Sequence, residues 1–133
     1  RASVPFSWGD NDCCSFVADA IKSMSKLDVA EWFRGKYSDR YSAFDIMQKY
    51  SGGSIVETWD KVASEYGLRE ILPESIQAGD IATMKIKALD PMAARLSRGI
   101  TIGISLKGRD MLSPGAEGLV LSKNPKILKA WRV

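Results

Sequence analysis

The chain has 133 residues, a length that suits one compact domain and leaves little room for two. Hydrophobic residues make up 45% and charged residues 26%, the balance of a folded core under a mixed-charge surface. The 19 basic and 16 acidic residues leave a net charge of only +3, spread along the chain, which excludes the basic stripe that a nucleic-acid partner needs.

No apolar run approaches the ~18 residues of a membrane-spanning helix, so no membrane span is expected. The N-terminus lacks the basic and apolar blocks of a secretory signal and starts at Arg1, so leading residues are expected to precede it. The only cysteines, Cys13 and Cys14, are adjacent; neighbours rarely meet disulfide geometry, so reduced thiols are expected. The chain contains no histidine. General acid–base chemistry near neutral pH therefore lacks its commonest side chain, and no usual His/Cys metal site is available; no metal or cofactor is expected.

In chain order, Asp10-Asn11 predict a turn and Asp12 an N-cap for a helix from about Cys13 to Ser25. Cys13, Phe16, Val17, Ala20, Ile21 and Met24 recur at helical spacing and mark its expected buried stripe, while Cys14 points off it. Asp28 caps a short helix, Val29 to Phe33, before the turn Arg34-Gly35. A third helix runs from about Arg40 to Tyr50 and stops at Gly52-Gly53. Ser54 and Glu57, at capping-box spacing, open a fourth that ends near Tyr66-Gly67. The period then changes. Strands are expected at Leu68–Leu72, Ile81–Ile86, Ile100–Leu106, Gly118–Ser122 and Ile127–Val133, with an exposed loop or partial helix over Lys87–Gly99. One α+β domain results, with a helical half over about 12–66 and a strand half over about 68–133, its helices packed on an antiparallel sheet of about five strands.

The segment around Cys13 carries the most chemistry. A thiol in the first turn of a helix meets unpaired N–H groups and the positive end of the dipole, and both favour the nucleophilic thiolate. The same position also suits a buried structural cysteine, one of the commonest core residues. Trp8, Trp32, Trp59 and Trp131 each sit in or beside an amphipathic element, where core packing competes with a groove-lining role. Asp80 reads as a cap on the turn into a strand, and Arg34 as one half of an internal ion pair.

The pattern Phe6-x-Trp8-Gly9-x-x-Asp12-Cys13-x-x-Phe16, followed by Ala18-Asp19-Ala20, resembles the nucleophile segment of NlpC-like, papain-fold cysteine peptidase domains. The closest likeness is to a branch encoded in the tail gene clusters of long-tailed bacteriophages and prophages. The resemblance continues through Phe33-Arg34-Gly35-Lys36-Tyr37-Ser38, Ser42-Ala43, Gly52-Gly53, Gln77-Ala78-Gly79-Asp80 and Ala130-Trp131-Arg132-Val133. It implies a papain-like fold, with Cys13 in the nucleophile's place and Trp8 and Asp12 beside the substrate groove. The histidine of the family's His-Val-Gly-Ile motif falls on Thr101 of Thr101-Ile102-Gly103-Ile104, or by a one-residue slip on Ile100, and the alignment implies that Thr101 faces Cys13. A threonine hydroxyl does not titrate near neutral pH, and loss of a general base typically costs ~10²–10⁴-fold in rate. Lys85 or Arg98 is the alternative neighbour for the thiol, while Asp10 and Asp12 oppose its ionisation.

Three functions follow. The first is a structural or assembly protein of a phage tail tip, with other tail proteins as partners, residing in the virion after synthesis in the host cytoplasm. The second is a cell-wall cysteine peptidase or amidase with an atypical or partner-supplied base. The third is a non-catalytic binder of peptidoglycan peptides.

Overall fold

A computed structural model describes residues 7–9, 11–85, 99–115 and 118–133. Three helices come first: α1 (Cys13–Ser25), α2 (Arg40–Ser51) and α3 (Ile55–Tyr66). Six strands follow: β1 (Arg69–Ile71), β2 (Ile81–Lys85), β3 (Ile100–Lys107), β4 (Asp110–Gly115), β5 (Gly118–Ser122) and β6 (Lys126–Arg132), with one 3₁₀ turn at Pro73–Ser75. They form a single antiparallel sheet in the order β1-β6-β2-β3-β4-β5 that does not close on itself. The architecture is thus α+β as expected, with six strands rather than about five; Asp110–Gly115 is a full strand between β3 and β5. The expected loop over Lys87–Gly99 lies, apart from Gly99, outside the described residues.

Each helix starts where its capping chemistry directs. Asp12 and Asp39 both exchange bonds with a serine three residues on, and Glu57 accepts from the Ser54 backbone N–H at 3.0 Å. The expected helix Val29–Phe33 does not form. The segment makes consecutive turns instead, with the N–H groups of Phe33 and Arg34 both bonded to the Ala30 carbonyl. Two forces override helix propensity here. Val29, Ala30 and Phe33 are all buried in the core, and the Arg34 guanidinium pairs with Asp28 at 2.9 Å, with Asp19 at 3.8 Å. That pairing is the internal role expected for Arg34.

One sheet face and the helices enclose the main core, which includes Val17, Ile21, Trp59, Val62, Ile81, Ile102 and Trp131. The helices α1 and α3 both lie against β3, and α2 packs on α3. A second cluster, centred on Ala82, Met84, Met111, Ile127 and Ala130, is separate from the first, so the sheet is apolar on both faces. Register is irregular in β2 between Thr83 and Met84. There the buried Thr83 hydroxyl accepts from the Lys129 N–H at 3.2 Å and so mends the ladder at the irregularity. Gly103, mid-strand in β3, is a site of close approach: a Cβ there would lie 2.7 Å from the Leu112 carbonyl oxygen and 2.8 Å from Met84 Cε.

Asp80 does cap its turn, accepting from the Gln77 N–H at 2.8 Å. It also takes Arg132 in a two-pronged pair, Nε at 2.9 Å and Nη2 at 2.8 Å. This pair borders a shallow cleft of about 260 Å³ between the C-terminal end of α1 and the Ala78-Gly79 turn. With its carboxylate committed to Arg132 and Gln77, Asp80 is a structural residue.

Candidate functional site around Cys13

The start of α1 is built around the buried carboxylate of Asp12. Its Oδ1 accepts from the Ser15 N–H at 2.9 Å, and Ser15 Oγ accepts in return from the Asp12 N–H at 3.0 Å. Its Oδ2 accepts from the Gly9 N–H at 2.8 Å and from the Tyr37 hydroxyl at 2.5 Å. One carboxylate therefore ties together the Trp8-Gly9 turn, the first turn of α1 and the loop after Phe33. Asp12 does not face an open groove as the resemblance implied; burial and its donors make it the organiser of the loop. Ser7 and Asn11 close the same turn by exchanging backbone hydrogen bonds.

Trp8 is half-buried and meets the Phe44 ring edge-on, 6.2 Å between centroids. Gly9 adopts φ +88°, and a Cβ on it would stand 2.5 Å from the Tyr37 carbonyl oxygen. Sequence reading missed Tyr37 as a member of this site. It lies 25 residues from Asp12, and no local pattern signals the pairing. Ser15 was legible in principle, because Asp12-x-x-Ser15 has capping-box spacing.

Tyr37 gives a test of the loop. Burial first, with the negative charge of Asp12 and the hydrogen bond to it, pushes its hydroxyl far above the ordinary tyrosine range. A phenol that stays protonated in the fold but ionises in the unfolded chain stabilises fully below ~pH 10, and that stability is lost as pH rises further. Above ~pH 10 this one proton makes stability fall by about 1.4 kcal/mol per pH unit. Tyr37→Phe is expected to remove that slope, seen by urea unfolding between pH 9.5 and 11. At pH 7 it should cost about 1–2 kcal/mol, because Asp12 loses a donor. Tyr50, Tyr66 and Cys14 are shifted upward too and contribute to the slope that remains.

Cys13 is the first residue of α1 and is half-buried; Cys14, beside it, is buried. The burial pattern corrects the expected stripe. The helix buries Cys14, Phe16, Val17, Ala18 and Ile21, while Met24 is 49% exposed and Ala20 only partly covered. The helix is thus turned so that Cys14, not Cys13, enters the core, because the sheet sets its phase. Cys13 instead meets the start of β3. Its thiol interacts with Cys14, with the Thr101 hydroxyl and with the Ile102 backbone amide. These contacts, the Cys14 thiol foremost, lower its pKa below the ordinary cysteine value, against burial and the negative charge of Asp12. The partner thiol goes the other way. Cys14 is pushed well above the ordinary value by its hydrogen bond to Cys13 and by burial, with the Trp59 indole opposing weakly.

The thiol pair is therefore polarised, Cys14 holding its proton while Cys13 is the more easily ionised. Thr101, buried and paired across the sheet with Met84, lies at the Cys13 thiol. Lys85 is exposed at the end of β2, in register with Ile100; Arg98 and Asp10 lie outside the described residues. Among the described residues, no three His, Cys, Asp or Glu side chains gather to hold a metal ion, and no helix is long and apolar enough to cross a membrane.

This geometry defines an α+β domain with an easily ionised thiol at a helix start, beside a threonine hydroxyl. The chain belongs to the DUF6950 family, a domain of unknown function, whose model matches residues 1–133. No curated protein matches it.

Proposed function

We propose that the chain is a degenerate papain-like domain of the NlpC type that serves as a structural or assembly component of a bacteriophage tail tip. One observation carries the non-catalytic part: the Cys13 thiol meets the Thr101 hydroxyl and the Ile102 backbone, in a chain without histidine. Neither group takes a proton at neutral pH, and nothing in the pair returns one to an amine leaving group. The tail setting rests on the sequence resemblance from Trp8-Gly9 to Trp131, with helices before an antiparallel sheet as supporting architecture. On this reading its partners are other tail proteins, and it travels in the virion after synthesis in the host cytoplasm.

The lowered pKa of Cys13 favours a second reading, a slow peptidase or acyl-transfer enzyme whose base comes from a partner chain. Labelling tests the thiol pair, and peptidoglycan release separates the two readings. Iodoacetamide labelling should modify Cys13 with a midpoint below ~8.5 and leave Cys14 untouched in the folded protein. Purified protein incubated with peptidoglycan should release no fragments, and Cys13→Ser should behave identically. Fragment release abolished by Cys13→Ser would establish the enzyme, and binding of soluble wall peptides without cleavage would favour a peptide-binding role. Mass spectrometry of purified tails should find the chain; its absence from tails and their subassemblies would remove the structural role.

A further inference from the structure

The two edges of the sheet are finished differently. At one end β1 has only three residues, two of them the charged Arg69 and Glu70, with Pro73 just beyond. These are ordinary means of keeping an edge from pairing. At the other end β5 has five residues, Gly118-Leu119-Val120-Leu121-Ser122, with neither charge nor proline. Its outer edge carries no further strand among the described residues. Val120 and Leu121 are each 42% exposed although they point to opposite faces.

We propose that this edge pairs with the β5 of a second copy of the chain, antiparallel about a twofold axis at Val120. The strand is self-complementary in that register. Gly118 meets Ser122, Leu119 meets Leu121, and Val120 meets its own copy. Leu119 and Leu121 share one face, and Leu119 already packs against the main core. The exposed Leu121 of each copy therefore covers the other's Leu119 and extends the core across the axis. Lys123 follows the strand directly. An antiparallel pairing holds the two copies of Lys123 at opposite ends of the paired strands, whereas a parallel one sets them side by side, like against like. The twofold also closes the assembly at two copies, because both β5 edges are then used.

Five residues bury little area, so the dimer is weak and is expected to populate at concentrations on the order of 100 µM. Sedimentation velocity across ~10–500 µM should show monomer passing to dimer. Val120→Lys puts two ammonium groups opposite each other and should weaken the dimer at least about tenfold. Because Val120 is exposed, circular dichroism and thermal midpoint should stay as in the parent. A Val120→Cys variant should be joined to itself by a short bis-maleimide, while Leu72→Cys, near the β1 edge, and the unaltered chain should not. A chain that stays monomeric throughout this range overturns the proposal. So does a Val120→Lys dimer as tight as the parent, a Leu72→Cys link as fast as the Val120→Cys link, or a monomer that pairs only with strands of other proteins.

Discussion

Gly9→Ala should lower the unfolding free energy by about 2–4 kcal/mol, a heavy loss for a methyl group on a surface turn. Two costs combine. A non-glycine residue at φ +88° carries strain of about 1–2 kcal/mol, and the new Cβ would lie 2.5 Å from the Tyr37 carbonyl oxygen. Backbone cannot swing aside as a flexible side chain does, so the loop holding Tyr37 must move and its bond to Asp12 goes with it. Reduced freedom of the unfolded chain returns only about 0.4–1 kcal/mol. Gly35→Ala is the matched control: its φ is +73°, yet nothing lies within 4 Å of the added carbon. Urea unfolding of both should show Gly9→Ala clearly the more damaging. Equal losses would mean that strain alone acts and that the Tyr37 contact is soft. The variant should also disturb Cys13, because Gly9 and Tyr37 share the Asp12 oxygen that shapes the start of α1.

Trp59→Ala is expected to cost about 3–5 kcal/mol and to lower the melting temperature by ~10–20 °C. Trp59 is fully buried on α3, in the core cluster that holds Cys14, Val17 and Ile102. Removing the indole leaves a cavity where helix and sheet meet. Its N–H is buried without a conventional hydrogen-bond partner and lies beside the Cys14 sulfur. Trp59→Phe therefore gives up little polar bonding and should lose about 1–2 kcal/mol. The thiols supply a second readout. Cys14 is shielded in the parent, so iodoacetamide should modify two thiols in folded Trp59→Ala and one in the parent. A Trp59→Ala protein with parental stability and an untouched Cys14 would show that the core closes around the gap.

Much of this architecture was legible in local chemistry. Asp12, Ser54-x-x-Glu57 and Gly52 mark helix ends because capping depends on residues within one turn. Ile100 to Leu106 announced β3 by its β-branched alternation. The features that escaped depend on distant partners. The phase of α1 was misjudged because Cys13 and Cys14 are equally suited to burial, and only the position of β3 decides between them. The stretch after Asp28 carries helix-compatible residues, but Arg34 and the buried Val29, Ala30 and Phe33 fold it into turns. Tyr37 joined the site through tertiary folding alone. Thr101 was singled out by resemblance; nothing in its own neighbourhood marks it as the residue that meets Cys13.

The position of β6 bears on how the chain folds. It lies between β1 and β2, although it follows both in sequence by some forty residues or more. Without β6, β2 would present an open edge carrying Ile81 and Met84. Sequence separation on this scale is expected to slow the pairing of β6, and a chain with β2 uncovered would be prone to pair with others. Arg132 then acts as a latch, since its pairing with Asp80 forms only once β6 has slid fully into the gap. Insertion of β6 is thus expected to come late in folding, and yield from refolding should depend on protein concentration more steeply than the small size of the domain suggests.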